Sequence, residues 1–521
     1  MRSPVANPGT GIGARPTARR GPIWFRTIFD FAQIDHTLWR MAGFDFDAAV
    51  VGGGSAGYAA ARTLAAGGAK VAVIDGAREL GGLCILRGCM PTKALLQAAE
   101  LRHAFTAARD WGITIEGEPD FKGVPTPASV HINLKRLMAR KNHLIQEFAK
   151  YRQQHLADGR FTVIRAHAKF FNPHTVVLST GQTLSAAHFV IATGSQIAPP
   201  PFRALAGRHI LDSDTSLSLT SLPEDLAVLG GGAVACEFAQ IFARLGVPVS
   251  LVQRSAQLLR HFDADVAEEL SKAFVREGIK VYKPAKIEHL GPLMGRFEIR
   301  LRIGDEVRLR DIYLKQIFNG LGRLPATDHL DLPRAGVELL PSGHIRTDLH
   351  QRTSVPNIFA AGDCAGPHEI VHVAIQQGET AARAILQTAG ARPMDYRLLI
   401  SVVFTDPQVA MVGLTEKAAA SQGVPYRVAT YPFNDHGKSM ILGAVEGFVK
   451  LLVAPGTGEI LGAAAVGPQA GELIHEIVVA MAKFMTAAEL AAIPHYHPTL
   501  AEIWTYPAEE LAEKIAVESV G

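Results

Sequence analysis

Phe46-Asp47-Ala48-Ala49-Val50-Val51-Gly52-Gly53-Gly54-Ser55-Ala56-Gly57 is a short apolar run that breaks on glycines. Helical sequence follows from about Ser55 to Ala66, and then comes Lys70-Val71-Ala72-Val73-Ile74-Asp75. The order strand, glycine turn, helix, strand makes one βαβ unit. Gly52 permits the tight turn, Gly54 lets the backbone approach a pyrophosphate, and Gly57 allows helix and strand to pack closely. The helix that opens at Ser55 and Ala56 presents unpaired N–H groups to the phosphates. Asp75 ends the second strand 18 residues after Gly57, where a carboxylate can accept from a ribose hydroxyl. A lone glycine fingerprint is weak evidence. Here a strand precedes it, a helix follows, and an acid stands at the right distance.

A second copy lies at Leu226 to Leu229, Gly230-Gly231-Gly232, a helix through Leu245, and Val249-Ser250-Leu251-Val252. Two such units imply two nucleotides, or a duplicated domain with one site lost. Gly230 and Gly232 keep their positions, and Ala235 replaces the third glycine. The next strand ends in neutral Gln253, with Arg254 beside it and Arg260 six residues further on. A carboxylate there would suit a 2′-hydroxyl and repel a 2′-phosphate, whereas guanidinium groups grip the phosphate. NADPH is therefore favoured over NADH. Two solvated loop arginines are the alternative.

Between the units runs Gly81-Gly82-Leu83-Cys84-Ile85-Leu86-Arg87-Gly88-Cys89-Met90-Pro91-Thr92-Lys93. Two cysteines five apart at the start of a helix can close a disulfide across one turn, and the helix N-terminus favours a Cys89 thiolate. A structural cystine and half a zinc site are the alternatives. Zinc needs two more ligands, and Cys236 and Cys364 form no second pair. No metal is expected.

Cys-x4-Cys-x-Pro-Thr-Lys after such a glycine turn resembles the pyridine nucleotide–disulfide oxidoreductases, which include dihydrolipoamide dehydrogenase, glutathione reductase and mercuric reductase. The resemblance runs from about Phe46 to the C-terminus. It implies an α/β fold with two Rossmann-like nucleotide-binding domains, for FAD and NAD(P), plus a C-terminal α+β dimerisation domain. It also implies FAD-dependent exchange of two electrons between NAD(P)(H) and a small dithiol or disulfide. By it, Cys84 is the interchange thiol, Cys89 lies over the flavin, and Lys93 lies near flavin N5 and pairs with Glu237.

Further matches fall in the family's order. Ile191-Ala192-Thr193-Gly194-Ser195 resembles the segment that leads from the FAD to the NAD(P) domain. Ala360-Ala361-Gly362-Asp363 resembles the second flavin motif, whose aspartate meets the ribityl chain. Ile370, Val371, His372, Val373 and Ala374 would run beside the flavin, and Gly82, Ala168 and Gly322 complete the expected cofactor contacts. His372 is closer to the dihydrolipoamide dehydrogenase pattern than to glutathione reductase.

Near the end stands His497-Pro498-Thr499-Leu500-Ala501-Glu502. An acid–base residue must take and return the thiol proton, and a carboxylate five residues on can orient the imidazole and raise its basicity. In the family this pair completes the active site of the other subunit, so a homodimer is implied. Mercuric reductase is disfavoured, because no cysteine follows Cys364. A glutathione reductase-like, NADPH-dependent reductase of small disulfides is the alternative, and a redox-inert flavin-binding module is the remote one.

Size and composition agree. A chain of 521 residues is too long for one core. A net charge of +3 gives no reason to expect nucleic acid or a membrane surface as partner. No stretch reaches the roughly 18 unbroken apolar residues of a membrane span. Four cysteines are too few for a disulfide scaffold, which points to a reducing cytoplasm. The first 43 residues, broken by Gly and Pro, read as a loose extension with a short amphipathic turn around Ile28 to Trp39. An Arg-rich transit peptide and a later start at Met41 are alternatives.

The expected division is 1–43 extension, 44–197 FAD domain, 198–325 NAD(P) domain, 326–397 second part of the FAD domain and 398–521 dimerisation domain. Helices are expected over Thr92 to Trp111, Asn133 to Gln154, Glu472 to Met485 and Leu500 to Ile515. Strands are expected within Phe161 to Ile191 and Phe297 to Phe318, and at Phe448 to Val453 and Leu461 to Val466.

Overall fold

The computed structural model describes residues 43–113, 130–388 and 391–518. The turn expected around Ile28 to Trp39 lies outside them. Phe46–Val51 forms a central strand, followed by the helix Ser55–Ala66 and the strand Val71–Ile74. Val71–Ile74 and Thr162–Ile164 extend the sheet to one side in parallel. On the other side lie Thr183–Ile191 and Ile358–Ala360, also parallel. The outer part of Thr183–Ile191 carries the antiparallel strands Thr175–Leu178 and Ala168–Asn172. The inner strands are continuous runs of Ala, Val and Ile because both faces are covered: Val71–Ile74 is buried at every position.

One face is covered by the helices Ser55–Ala66 and Val371–Ile385, with Leu64, Ala381 and Ile385 in the core between them and the sheet. Small residues let the two helices touch. A Cβ on Gly378 would lie 2.2 Å from the Ala56 carbonyl oxygen, so only glycine allows that approach.

A second parallel sheet has the order Lys280–Tyr282, Val249–Val252, Leu226–Leu229, Gln316–Asn319. Ala285–Leu293, Arg296–Ile303 and Arg310–Leu314 form an antiparallel sheet packed near it through Ile299 and Leu301. In both parallel sheets the chain builds outward from one strand and then crosses to that strand's other edge. The crevice this leaves at the strand ends is where nucleotides bind in such sheets.

The C-terminal part is a five-stranded antiparallel sheet, with Ile400–Val403, Gln408–Gly413, Ile460–Gly467, Phe448–Val453 and Arg427–Pro432 in that order. The helices Ala470–Ala482 and Thr505–Glu518 pack on it around Ile474, Ile477 and Trp504.

Three element boundaries differ from the sequence expectation. The helix expected from Thr92 begins at Cys89 and runs to Ala107, with a 3-10 turn over Ala108–Trp111. Pro91 is no barrier, because a first-turn residue needs no N–H partner. The helix expected over Glu472 to Met485 is Ala470–Ala482, and the chain reverses through Phe484 at φ +56. The segment from Leu500 opens as a 3-10 turn, Ala501–Trp504, before the α-helix starts at Thr505.

Candidate active site

The first glycine turn is over-determined by sterics. Gly52 has φ +105, and a Cβ there would lie 2.3 Å from the Ala192 oxygen. A Cβ on Gly57 would fall 1.8 Å from the Gly52 oxygen. Gly54 is different, because its Cβ direction is open except for Gly82 Cα at 3.9 Å. Gly54 also caps the helix without any side-chain hydrogen bond, so the N–H groups around Ser55 and Ala56 have no side-chain acceptor there. An open cradle below an uncapped helix start fits a diphosphate. Asp75 stands at its rim, accepting the Gly53 N–H at 2.8 Å and the Ala77 N–H at 2.8 Å.

Several of the other residues expected to hold FAD lie on segments that meet the first unit. Thr193 and Gly194 follow Ala192 across from Gly52, and Gly194 accepts the Ala326 N–H at 2.9 Å. Asp363 accepts the Ser195 hydroxyl at 2.6 Å. Arg323 holds that serine in turn, from Nε to Oγ at 2.7 Å and from Nη2 to the carbonyl at 2.9 Å. Ile370 precedes the helix that opens with Val371, His372, Val373 and Ala374, again without a side-chain cap. His372 Nε2 is buried with no hydrogen-bond partner. Burial, and secondarily the nearby His475, hold the His372 imidazole below its ordinary pKa. A neutral ring with an orphaned nitrogen fits a polar heterocycle edge. Ala168 is a buried strand residue, and Gly322 has φ +110 with open space beyond.

The cysteine segment is tied to this cradle by backbone contact. Gly82 has φ +76, and a Cβ on it would lie 2.7 Å from Gly54 Cα. Cys84 lies in the short helix Gly82–Leu86, and Cys89 opens the helix Cys89–Ala107. Gly88 lets the two turns stack, since its Cβ would be 3.2 Å from Cys84 Cα. Both cysteines are partly buried thiols. The Cys84 S–H donates to the Cys89 sulfur, which raises the Cys84 pKa and lowers that of Cys89 to about 7. Lys93 also favours the Cys89 thiolate, while burial and Glu237 oppose it.

Lys93 Nζ sits 2.9 Å from both oxygens of Glu237 and 4.4 Å from the centre of the Phe404 ring. Glu237 is nearly buried and also accepts the Phe404 N–H at 3.1 Å. Its helix, Ala233–Arg244, belongs to the second glycine unit, so this ion pair joins the two units.

His497 Nδ1 lies 3.0 Å from Glu502 Oε2. The imidazole is 76% exposed, whereas Glu502 is 10% exposed. The turn that carries Glu502 is seated by Trp504, whose buried indole N–H donates to the Leu473 carbonyl at 3.1 Å. Thr499 N–H donates to the other Glu502 oxygen at 3.3 Å. The imidazole thus stands largely in solvent, with a carboxylate against its Nδ1.

In the second turn, Gly230 has φ +116, and a Cβ there would meet the Gly320 oxygen at 2.3 Å. Gly232 is open and caps the next helix without a side chain. Ala235 is buried against Gly320. The Gln253 amide donates to Ser255 Oγ at 2.6 Å and accepts the Arg254 N–H at 3.0 Å. Arg254 and Arg260 have exposed side chains, and Arg260 Nε approaches His261 Nε2 at 3.4 Å. No hydrogen bond or ion pair brings those two arginines together.

Sequence reasoning missed Arg323, Phe404 and His436. Each acts on a residue far along the chain: Arg323 on Ser195 at a separation of 128, Phe404 on Glu237 at 167. No local pattern signals such a contact. Among the described residues no group of three or more His, Cys, Asp or Glu is arranged to hold a metal ion. None of their helices is long and apolar enough to cross a membrane.

Known proteins share this sequence pattern along most of the chain. Residues 46–378 match the family described as pyridine nucleotide-disulphide oxidoreductase, and residues 399–508 match its dimerisation domain. The chain is 36% identical over 469 residues to dihydrolipoyl dehydrogenase of Chlamydia trachomatis, covering 89% of this chain and 96% of that protein. It is 34% identical over 468 residues to dihydrolipoyl dehydrogenase of Thermus scotoductus, covering 89% and 97%. Among solved structures, the HOCl-induced flavoprotein disulfide reductase RclA of Escherichia coli superposes with a TM-score of 0.76 at 25% identity. That match covers 89% of this chain and 99% of RclA.

Proposed function

This chain belongs to the pyridine nucleotide-disulphide oxidoreductase family, and on that premise we propose that it is a dihydrolipoyl dehydrogenase-type flavoenzyme acting on a small dithiol. One observation carries the proposal. The hydrogen-bonded Cys84 and Cys89 follow Gly82, whose backbone packs on Gly54 of the first nucleotide cradle.

With Cys84 and Cys89 oxidised to a disulfide, one substrate thiolate attacks Cys84 and forms a mixed disulfide, releasing Cys89 as thiolate. The second substrate thiolate attacks the substrate sulfur of that mixed disulfide, which closes the substrate disulfide and releases Cys84. Of the two thiol protons His497 takes one and the departing Cys84 sulfur receives the other, and Glu502 stabilises the imidazolium. Cys89 is a good leaving group because Lys93 and its place at the start of a helix stabilise its anion. The first turn, Asp75, Asp363 and the helix after Ile370 would hold FAD, which when bound would supply two-electron exchange between the cysteine pair and the nicotinamide. Lys93 and Glu237 fix the charge beside that exchange. The domain division 44–197, 198–325, 326–397 and 398–521 belongs to the same proposal. So does a homodimer in which the exposed His497 of one subunit serves the cysteines of the other; the dimerisation-domain match supports it. Four cysteines in the whole chain support a reducing cytoplasmic setting.

NADPH is the proposed nicotinamide. Neutral Gln253 presents no carboxylate to repel a 2′-phosphate, and Arg254 and Arg260 are exposed beside it. The same residues favour, as a second reading, an NADPH-dependent reductase of a low-molecular-weight disulfide, since one set of parts serves both directions. A redox-inert flavin module needs neither the cysteine pair nor the His497–Glu502 pair.

The test is steady-state turnover with NADPH, NADH and NAD⁺ against lipoamide and glutathione disulfide, with the visible spectrum recorded. Bound flavin, a long-wavelength band on two-electron reduction and turnover of one of the two substrates are expected. Cys89→Ser should abolish turnover and retain FAD. Unchanged thiol–disulfide turnover in that variant would remove the proposal.

A further inference from the structure

His436 lies wholly buried behind the His497–Glu502 pair. Its Nδ1 is 2.8 Å from the hydroxyl of Ser439, which is itself buried. Its Nε2 is buried without a hydrogen-bond partner and lies 3.5 Å from Glu502 Oε1. Glu502 therefore lies between two imidazoles, with His497 on Oε2 and His436 facing Oε1. Other elements supply the edge of Tyr506, whose ring centroid is 6.3 Å away. Burial, the first cause, holds His436 below its ordinary pKa, as does the charge of His497, and Glu502 opposes both. The ring is neutral at ordinary pH. It carries one proton, which the Ser439 hydroxyl can direct to Nε2 by donating to Nδ1.

We propose that His436 is a positioning residue for His497: its Nε2–H holds one oxygen of Glu502 and shares that carboxylate's charge, so that the other oxygen meets His497 without making it too basic. The arrangement resembles the supporting shell of a metal-bound histidine, in which a second partner fixes the orientation and strength of the first. His497, His436 and the Thr499 N–H divide the charge of one carboxylate. Removing His436 leaves more of that charge to His497 and raises its pKa. The consequence for turnover rests on the proposed function. The titration itself does not.

The experiment follows the His497 ring by NMR in the flavin-loaded protein with labelled histidine, its signal identified by loss in His497→Gln. His436→Phe removes the donor and should move the His497 midpoint up by about 0.5 unit or more. His436→Gln keeps an amide donor and should restore the wild-type midpoint. Ser439→Ala deletes one hydroxyl without adding volume and should shift the midpoint in the same direction by less, which serves if the phenylalanine variant does not fold. A midpoint that stays put or falls in folded His436→Phe, or is unmoved in Ser439→Ala, overturns the proposal. Dithiol turnover measured alongside keeps the two questions apart: a wild type inert to every dithiol and disulfide would count against the functional reading, while the His497 midpoints would still decide the role of His436.

Discussion

The chain solves the same steric problem twice, in Phe46 to Asp75 and in Leu226 to Gln253. In each, a glycine with φ above +100 turns the chain off a parallel strand, and a carbonyl oxygen stands 2.3 Å from where its Cβ would be. In each, a 12-residue helix follows with no side chain at its cap. The differences are chemical. The first unit places glycine in the helix, at Gly57. The second places Ala235 there and the glycine across from it, at Gly320. The first rim carries the carboxylate of Asp75, bonded to the turn itself, and the second carries the amide of Gln253, bonded to Ser255. Backbone geometry thus makes the two turns alike, and the chemistry of the rim side chain sets them apart.

Gly57→Val should break the first turn alone. Its Cβ collides with main chain, so FAD affinity should fall on the order of 100-fold, about 3 kcal/mol. Dialysis against buffer followed by flavin absorbance checks this, and a fully yellow protein would contradict it. Arg254→Glu should lower kcat/KM for NADPH roughly 30-fold, about 2 kcal/mol, and for NADH much less. Equal losses would mean that the two rims do not differ as argued.

The cysteine segment meets the first turn through Gly82 and the second unit through Lys93 and Glu237, which makes its titration a third probe. The Cys89 pKa lies below the ordinary thiol value, at about 7, so the thiolate is present above that pH and lost as pH falls through it. Thiolate ultraviolet absorbance of the reduced protein should therefore drop roughly tenfold between one unit above and one unit below. A midpoint near the free-thiol value would exclude stabilisation by Cys84 and Lys93. Asp75→Asn keeps shape and removes charge, and should weaken FAD about fivefold, near 1 kcal/mol, by calorimetry. Ala235→Gly should cost about 1 kcal/mol of stability in thermal melts, with the KM for nicotinamide unchanged.

The βαβ units were legible because strand periodicity, glycine spacing and helix length are local. Ser55 to Ala66 and Phe448 to Val453 coincide with observed elements for that reason. The helix start at the cysteines was legible from Cys89 at its tip, whereas the periodic pattern alone placed the helix from about Thr92. Among site residues, Lys93 and Glu237 could be paired only through the family resemblance, since 144 positions separate them. His436 had no signal at all. A histidine in Phe433-Asn434-Asp435-His436 looks like any surface histidine until the fold buries it beside Glu502.

Short-range sterics and chemistry are written along the chain: where φ must be positive, where a helix start is left uncapped, which residues carry sulfur or a proton. The tertiary structure decided what those groups face. It set the start of the cysteine segment, Gly82, against Gly54, and it closed Glu502 between His436 and His497. Such pairings depend on surfaces that meet only when non-local strands and helices pack, and no spacing along a chain encodes them.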